Sequence, residues 1–299
     1  MAVLVRAEPE LGMLTPPRCE VWGDPIAHSK SPALHRAAYA ALGLEWSYDR
    51  LRVDESAFPG ALGEAATRVR GLSLTMPLKG VAFAAAGRRD DDATTTGAVN
   101  TLVRTESGWD GFNTDVAGLV AVLRELGVSE LTHARILGGG ATATSALVAL
   151  HRLGADRVSV VTRRPGAAAA LIDLAATLGV EVTPATFDDA DATPVPVTVA
   201  TIPTDAELPP GVAAHLAGAG GMLYDVAYGT WPTPLSRAWE AEGLISANGL
   251  GMLLHQAVRQ VSAFLHGDPA VPLPDEASVV AAMRAAVTEA DAVVPGVGD

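Results

Sequence analysis

A short apolar run, Ala134-Arg-Ile-Leu137, stops at Gly138-Gly139-Gly140 and resumes as a helical pattern from Ala141, Thr142 and Ala143. Strand, glycine turn and helix start in that order restrict the fold more than any other stretch of the chain. Gly138, Gly140 and Ala143 fill the G-x-G-x-x-G/A frame of dinucleotide-binding folds. The first glycine permits the tight turn, the second lets a pyrophosphate approach the backbone, and Ala143 keeps the helix close to the strand. The helix start then offers free N–H groups and a partial positive charge to an anion. Gly138, Gly139, Gly140, Ala141 and Thr142 are therefore candidate cofactor contacts. An NAD-type fingerprint carries Asp or Glu about 20 residues further on, for the ribose 2′-hydroxyl. That place here, 162 − 138 = 24 residues beyond Gly138, holds Thr162, followed by Arg163 and Arg164. Two guanidiniums at a strand end suit a 2′-phosphate, although solvated loop arginines would read the same. The absent acid and the adjacent pair together favour NADP, with Thr162, Arg163 and Arg164 as its contacts.

The rest of the chain is patterned to match. Short β-branched runs at residues 19–23, 46–51, 71–75, 98–104, 135–138, 157–162, 195–200, 222–226 and 244–246 read as strands. They alternate with stretches of helical length at 32–42, 57–67, 115–126, 142–153, 167–178, 234–242, 251–265 and 276–288. Strands separated by such helices predict βαβ units, a mostly parallel sheet and the α/β class. With 299 residues the chain is one large domain or two ordinary ones. Residues 1–17 read as a loosely held leader and the tail after Ala290 as frayed. A net charge of −13 sets a low prior for nucleic acid or anionic membrane as partner. The apolar run at 136–150 is shorter than a bilayer span and contains the three glycines. The lone cysteine, Cys19, excludes an internal disulfide and a cysteine-built metal cluster, and fits the cytoplasm. The seven histidines show no ligand spacing and read as surface or packing residues, so no metal is expected.

Four N-terminal motifs carry polar groups at strand ends. Ser29 and Ser31 stand two apart before Pro32, a proline suited to a first helical turn. They could cradle a carboxylate, or Ser31 could merely cap the helix. Thr75 and Lys79 follow a strand in Ser73-Leu-Thr-Met-Pro-Leu-Lys79 and could face one cleft. Gly97-Ala-Val-Asn100-Thr101 and Gly111-Phe-Asn113-Thr114-Asp115 complete the set, where asparagine often only closes a turn.

Taken together, residues 24–32, 73–79, 97–102, 113–118, the glycine loop, 225–234 and 248–256 resemble the shikimate dehydrogenase family almost from end to end. The resemblance implies an N-terminal α/β substrate domain, a Rossmann-like NADP-binding domain, and C-terminal helices returning to the first domain. The boundaries that follow are 1–114 with 250–299 for substrate and 115–249 for NADP. It implies reversible reduction of 3-dehydroshikimate to shikimate with NADPH, a step towards chorismate and the aromatic amino acids. Ser29 and Ser31 would hold the carboxylate, with Tyr228 nearby, and Thr75, Asn100 and Gln256 would bind ring hydroxyls. Lys79 and Asp115 would be the catalytic pair, and Gly249 a further cofactor contact. A monomer or homodimer is expected. Thr144 stands where the family often has arginine, and Ala141 adds a Cβ at a position usually bare. Quinate/shikimate or aminoshikimate dehydrogenases share the scaffold and are the alternative activities. A non-catalytic NADP- or shikimate-binding sensor is the alternative of another class, disfavoured by retention of both Lys79 and Asp115.

Overall fold

The computed structural model describes residues 16–203 and 206–292. Nearly all of the expected leader and most of the expected frayed tail lie outside the described residues. The first half builds β1 (Arg18–Gly23), α1 (Ser31–Ala41), β2 (Ser47–Arg52), α2 (Phe58–Ala65), β3 (Gly71–Leu74) and α3 (Lys79–Ala85). It continues with β4 (Arg88–Arg89), α4 (Asp91–Thr96), β5 (Thr101–Thr105) and β6 (Gly108–Phe112). These strands form one sheet in the order β2-β1-β3-β5-β6-β4. β5 runs antiparallel to both β3 and β6, so this sheet is mixed.

The second half begins with α5 (Asp115–Glu125), β7 (His133–Leu137), α6 (Ala141–Arg152), β8 (Arg157–Thr162), α7 (Ala169–Leu178) and β9 (Glu181–Thr186). It ends with β10 (Val197–Ala200), α8 (Val212–Gly218), β11 (Met222–Asp225), α9 (Pro234–Ala241), β12 (Ser246–Ala247), α10 (Leu250–His266) and α11 (Glu276–Ala292). Its sheet, β12-β11-β10-β7-β8-β9, is wholly parallel, and reversal of the strand order at β7 and β10 gives the doubly wound pattern. α5, α6 and α7 bury one face of this sheet through Leu119, Leu147 and Leu171. Trp239 of α9 and Leu216 of α8 cover the other, over Leu137 and Val161.

The C-terminal helices return to the first sheet. Phe264 of α10 and Met283 of α11 share a core with Leu34 of α1 and Val21 of β1. α10 also packs closely on α5. A Cβ on Gly118 would lie 2.9 Å from the Cβ and backbone N of Gln256, and one on Gly251 would lie 2.4 Å from Val122.

Three strands and three helices escape the sequence pattern for local reasons. β6 is Gly-Trp-Asp-Gly-Phe, poor in β-branched residues and preceded by a turn at Glu106 and Ser107. β9 is an exposed edge strand that tolerates Pro184, and β4 has two residues. α3, α4 and α8 have seven, six and seven residues, too few for a helical period to show. α4, Asp-Asp-Ala-Thr-Thr-Thr, is held at its start by the Asp90 carboxylate, which accepts from Ala93 N at 2.7 Å. Of the two readings of the serine pair, capping of α1 by Ser31 does not occur. Ser31 is already helical and its N–H donates to Ser29 Oγ at 3.3 Å, while Lys30 occupies the cap position and its side chain does not cap the helix.

Candidate active site

Lys79 opens α3 directly after the turn that ends β3, and Asp115 opens α5 directly after β6. The strand ends bring them together: Lys79 Nζ donates to Asp115 Oδ2 at 2.6 Å, with side chains 14% and 6% exposed. An aspartate in a first helical turn is favoured by the helix N-terminus, and Asp115 N donates to Asn113 Oδ1 at 3.0 Å. Asn100 closes the other side of the carboxylate. Its Nδ2 donates to Asp115 Oδ1 at 2.8 Å and to Thr114 Oγ1 at 3.0 Å, while its Oδ1 accepts from Thr114 N at 2.9 Å. Thr114 Oγ1 lies 3.5 Å from Gln256 Oε1 on α10. Lys79, Asp115, Asn100 and Gln256 therefore belong to one connected cluster.

A cleft of about 880 Å³ lies between the two sheets. Thr75 and Lys79 line one wall, and Gly138, Gly139, Gly140, Ala141, Thr142, Thr162, Arg163 and Arg164 line the other. The backbone explains the glycines. Gly138 has φ +122°, where a side chain is strained, and a Cβ there would also strike Thr201. Nothing lies within 4 Å of where a Cβ on Gly140 would be, so that backbone is open to a close ligand. No side chain caps α6, which leaves its first N–H groups to face an anion. At the end of β8, Arg163 and Arg164 are exposed, and Thr162 turns its hydroxyl to the Arg164 carbonyl at 3.0 Å. This donor set fits a dinucleotide with a 2′-phosphate. Thr144 cannot add to it, because its hydroxyl donates to Ala141 O within α6 at 2.8 Å.

The remaining candidates stand apart. Ser29 and Ser31 form their own local pair at the start of α1. Tyr228 is half-buried in the segment after β11, burial pushes its phenol pKa up, and no hydrogen bond joins it to either serine. Gly249 is buried outside the cleft lining: a Cβ there would lie 1.9 Å from the Val226 carbonyl, so close backbone approach accounts for this glycine. Of the histidines, His35 is fully buried against Tyr48, and His255 lies 3.0 Å from Glu125. Sequence reasoning missed Thr114, Asn113 and Gln260 as parts of the site. Asn113 and Thr114 were visible beside Asp115, but only burial reveals that their side chains brace it.

The fold has known counterparts. Residues 21–102 match the shikimate dehydrogenase substrate binding domain. A protein of Anaeromyxobacter dehalogenans (strain 2CP-1 / ATCC BAA-258) named shikimate dehydrogenase (NADP(+)) is 37% identical over 273 residues, 89% of this chain and 96% of that protein. One of the same name from Bordetella avium is 35% identical over 278 residues, 90% of this chain and 95% of that protein. The crystal structure of Mycobacterium tuberculosis shikimate dehydrogenase superposes with TM-score 0.79 at 39% identity, over 90% of this chain and all of that one. The Thermus thermophilus enzyme, solved in complex with NADP(H) and shikimate, superposes with TM-score 0.74 at 32% identity, covering 90% and 99% of the two chains.

Proposed function

The chain belongs to the shikimate dehydrogenase family, and from that premise we propose that Lys79 and Asp115 carry out the acid–base part of its reaction. That reaction is the reversible NADPH-dependent reduction of 3-dehydroshikimate to shikimate in aromatic amino-acid biosynthesis. The observation that carries the assignment is the part-buried Lys79–Asp115 pair, whose lysine lies on the wall of a cleft opposite the glycine loop and the arginine pair.

NADP would be held by Gly138 to Thr142 at its pyrophosphate and by Arg163 and Arg164 at its 2′-phosphate. When bound in reduced form, it supplies the reducing equivalent at the ketone carbon. As the ketone is reduced, negative charge develops on its oxygen. The Lys79 ammonium meets that charge and holds the proton the oxygen takes up, while Asp115 orients the ammonium. In the reverse direction the same nitrogen receives the alcohol proton. Ser29, Ser31 and Tyr228 bind the carboxylate, and Thr75, Asn100 and Gln256 surround the ring hydroxyls on this reading.

The same reading divides the chain into a substrate domain, 1–114 with 250–299, and an NADP domain, 115–249. Support comes from the two separate sheets and from the core that α10 and α11 share with α1. The substrate is a small molecule, and the assembly and compartment we infer are a monomer or homodimer in the cytoplasm. No described helix is long and apolar enough to cross a membrane.

The test follows NADPH formation by near-ultraviolet absorbance with shikimate and NADP. Quinate, aminoshikimate and NAD replace them in parallel, with Lys79→Ala as control. Shikimate turnover with NADP is expected, falling roughly 10²–10⁴-fold in the variant. Preference for quinate or aminoshikimate would move the protein to a sister activity. Binding of shikimate and NADP without turnover would make it a sensor.

A further inference from the structure

A directed chain of hydrogen bonds reaches Asp115 from buried residues of the first sheet. Ser73 of β3 and Thr101 of β5 are register partners in an antiparallel pair, so their side chains leave the sheet on one face. Gln260 of α10 bridges them there and is 2% exposed. Its Oε1 accepts from Ser73 Oγ at 2.8 Å, and its Nε2 donates to Thr101 Oγ1 at 3.1 Å and to the Asn100 carbonyl at 3.2 Å. Ser73 Oγ accepts in turn from Tyr48 OH at 2.6 Å. Thr101 Oγ1 donates to Asn100 Oδ1 at 2.8 Å, and Asn100 Nδ2 donates to Asp115 Oδ1 at 2.8 Å.

The direction is not interchangeable. A hydroxyl has a single proton, and an amide has one donating and one accepting end. Burial holds the Tyr48 phenol pKa well above its ordinary value, so Tyr48 keeps its proton, and it donates that proton to Ser73 Oγ. Ser73 must then give its proton onward to Gln260, which turns the Gln260 amide nitrogen towards Thr101. Thr101 accepts from that nitrogen and so donates to Asn100 Oδ1, which also accepts from Thr114 N at 2.9 Å and so keeps Asn100 Nδ2 facing Asp115. Reversing Gln260 would set its Oε1 against the Asn100 carbonyl, acceptor against acceptor in a buried site, and would draw the Thr101 proton away from Asn100 Oδ1.

We propose that Gln260 is a positioning residue for the Lys79–Asp115 pair: oriented by Ser73, it turns the Thr101 proton onto Asn100 Oδ1 and so, together with Thr114 N, holds Asn100 Nδ2 on Asp115. Tyr48, Ser73 and Gln260 are buried and outside the cleft lining, so they act through Asn100. The proposal rests on the assignment of Lys79 and Asp115 above.

Two variants of the full chain test it. Gln260→Leu removes both ends of the amide at similar volume, and Ser73→Ala removes only the hydroxyl that orients it. The smaller change carries the test if the larger one fails to fold. Each is expected to lower kcat for shikimate oxidation roughly 10- to 100-fold, with KM for shikimate and NADP held within about threefold. The Asn100 side-chain amide resonances, followed by ¹⁵N NMR and assigned with Asn100→Asp, are expected to move from their wild-type positions once Thr101 no longer donates to Asn100 Oδ1. Folded variants with wild-type kcat and unmoved Asn100 amide resonances would overturn the proposal. So would a loss of rate that only tracks the folded fraction. The amide resonances read the hydrogen-bond chain even if the wild type failed to oxidise shikimate, a result that would count against the proposed function instead.

Discussion

Buried polar residues in this protein show how position, rather than residue type, sets chemistry. Asp115 is a charged group with Lys79, Asn100 and Asn113 bonded around it. His35 is the opposite case. It stacks on Tyr48 at 3.9 Å between ring centroids, one ring nitrogen lies 2.9 Å from Ser31 O, and its Nε2 is buried without a partner. Burial therefore pushes its pKa down to about 4 from an ordinary 6.5. Between those values the unfolded chain takes up a proton that the native state refuses, so stability present above pH 6.5 is lost as the pH falls to about 4. The full effect is roughly 3 kcal/mol. Asp90 has the reverse sign: burial raises its carboxyl to about 6, so its protonation favours the native state as the pH falls through that value. Comparing His35→Phe with the wild type cancels the Asp90 contribution. Urea midpoints at pH 7 and pH 4.5 should fall less in the variant than in the wild type, and equal falls would refute the assignment. The sequence marked His35 only as a surface or packing histidine. Its complete burial comes from α1 lying against β2 and α10.

At the scale of elements, the contact between α5 and α10 is the one that places Gln256 beside Thr114. Helices approach this closely only where one side lacks a Cβ, and Gly118 and Gly251 supply that on opposite helices. Gly118→Ala gains about 1 kcal/mol of helix propensity. The added methyl meets the Gln256 backbone, which cannot swing away as a long side chain would. Overpacking of this kind costs roughly 1–3 kcal/mol, so a net loss is expected in urea unfolding. An unchanged or higher midpoint would show that the helices are free to separate. Long periodic elements such as α6 and α10 were legible from spacing alone. β6 and α4 were not, because glycine-rich and threonine-rich segments take their conformation from a neighbouring strand and a capping carboxylate. Whether Ser31 caps α1 was left open for a related reason: capping sequences specify that a helix starts, but not which residue of a Ser-Lys-Ser run turns first.

Over the whole molecule, the cleft separates the Lys79 wall from the cofactor wall, and reaction requires the two to approach and exclude water. Behind the cleft, Arg152 of α6 holds Asp92 of α4 at 3.0 Å, and Asn113 Nδ2 donates to Ser145 Oγ of α6 at 3.2 Å. These ties leave the open side free to close about residues 113–115 and 248–251. Small-angle scattering should show a smaller radius of gyration with NADP and shikimate together than without ligands, and superimposable profiles would rule closure out. The sequence by itself determined the α/β class, the glycine turn before α6, the absence of an acid at the end of β8, and the residue types able to move a proton. Those follow from local rules, since φ freedom, helix starts and side-chain pKa belong to short segments. Only the tertiary structure decided that Lys79 meets Asp115, that Gln260 reaches Asn100 across 160 positions of chain, and that Gly249 is buried outside the cleft lining. Contacts of that kind depend on which strand ends and helix faces packing brings together, and no local pattern records them.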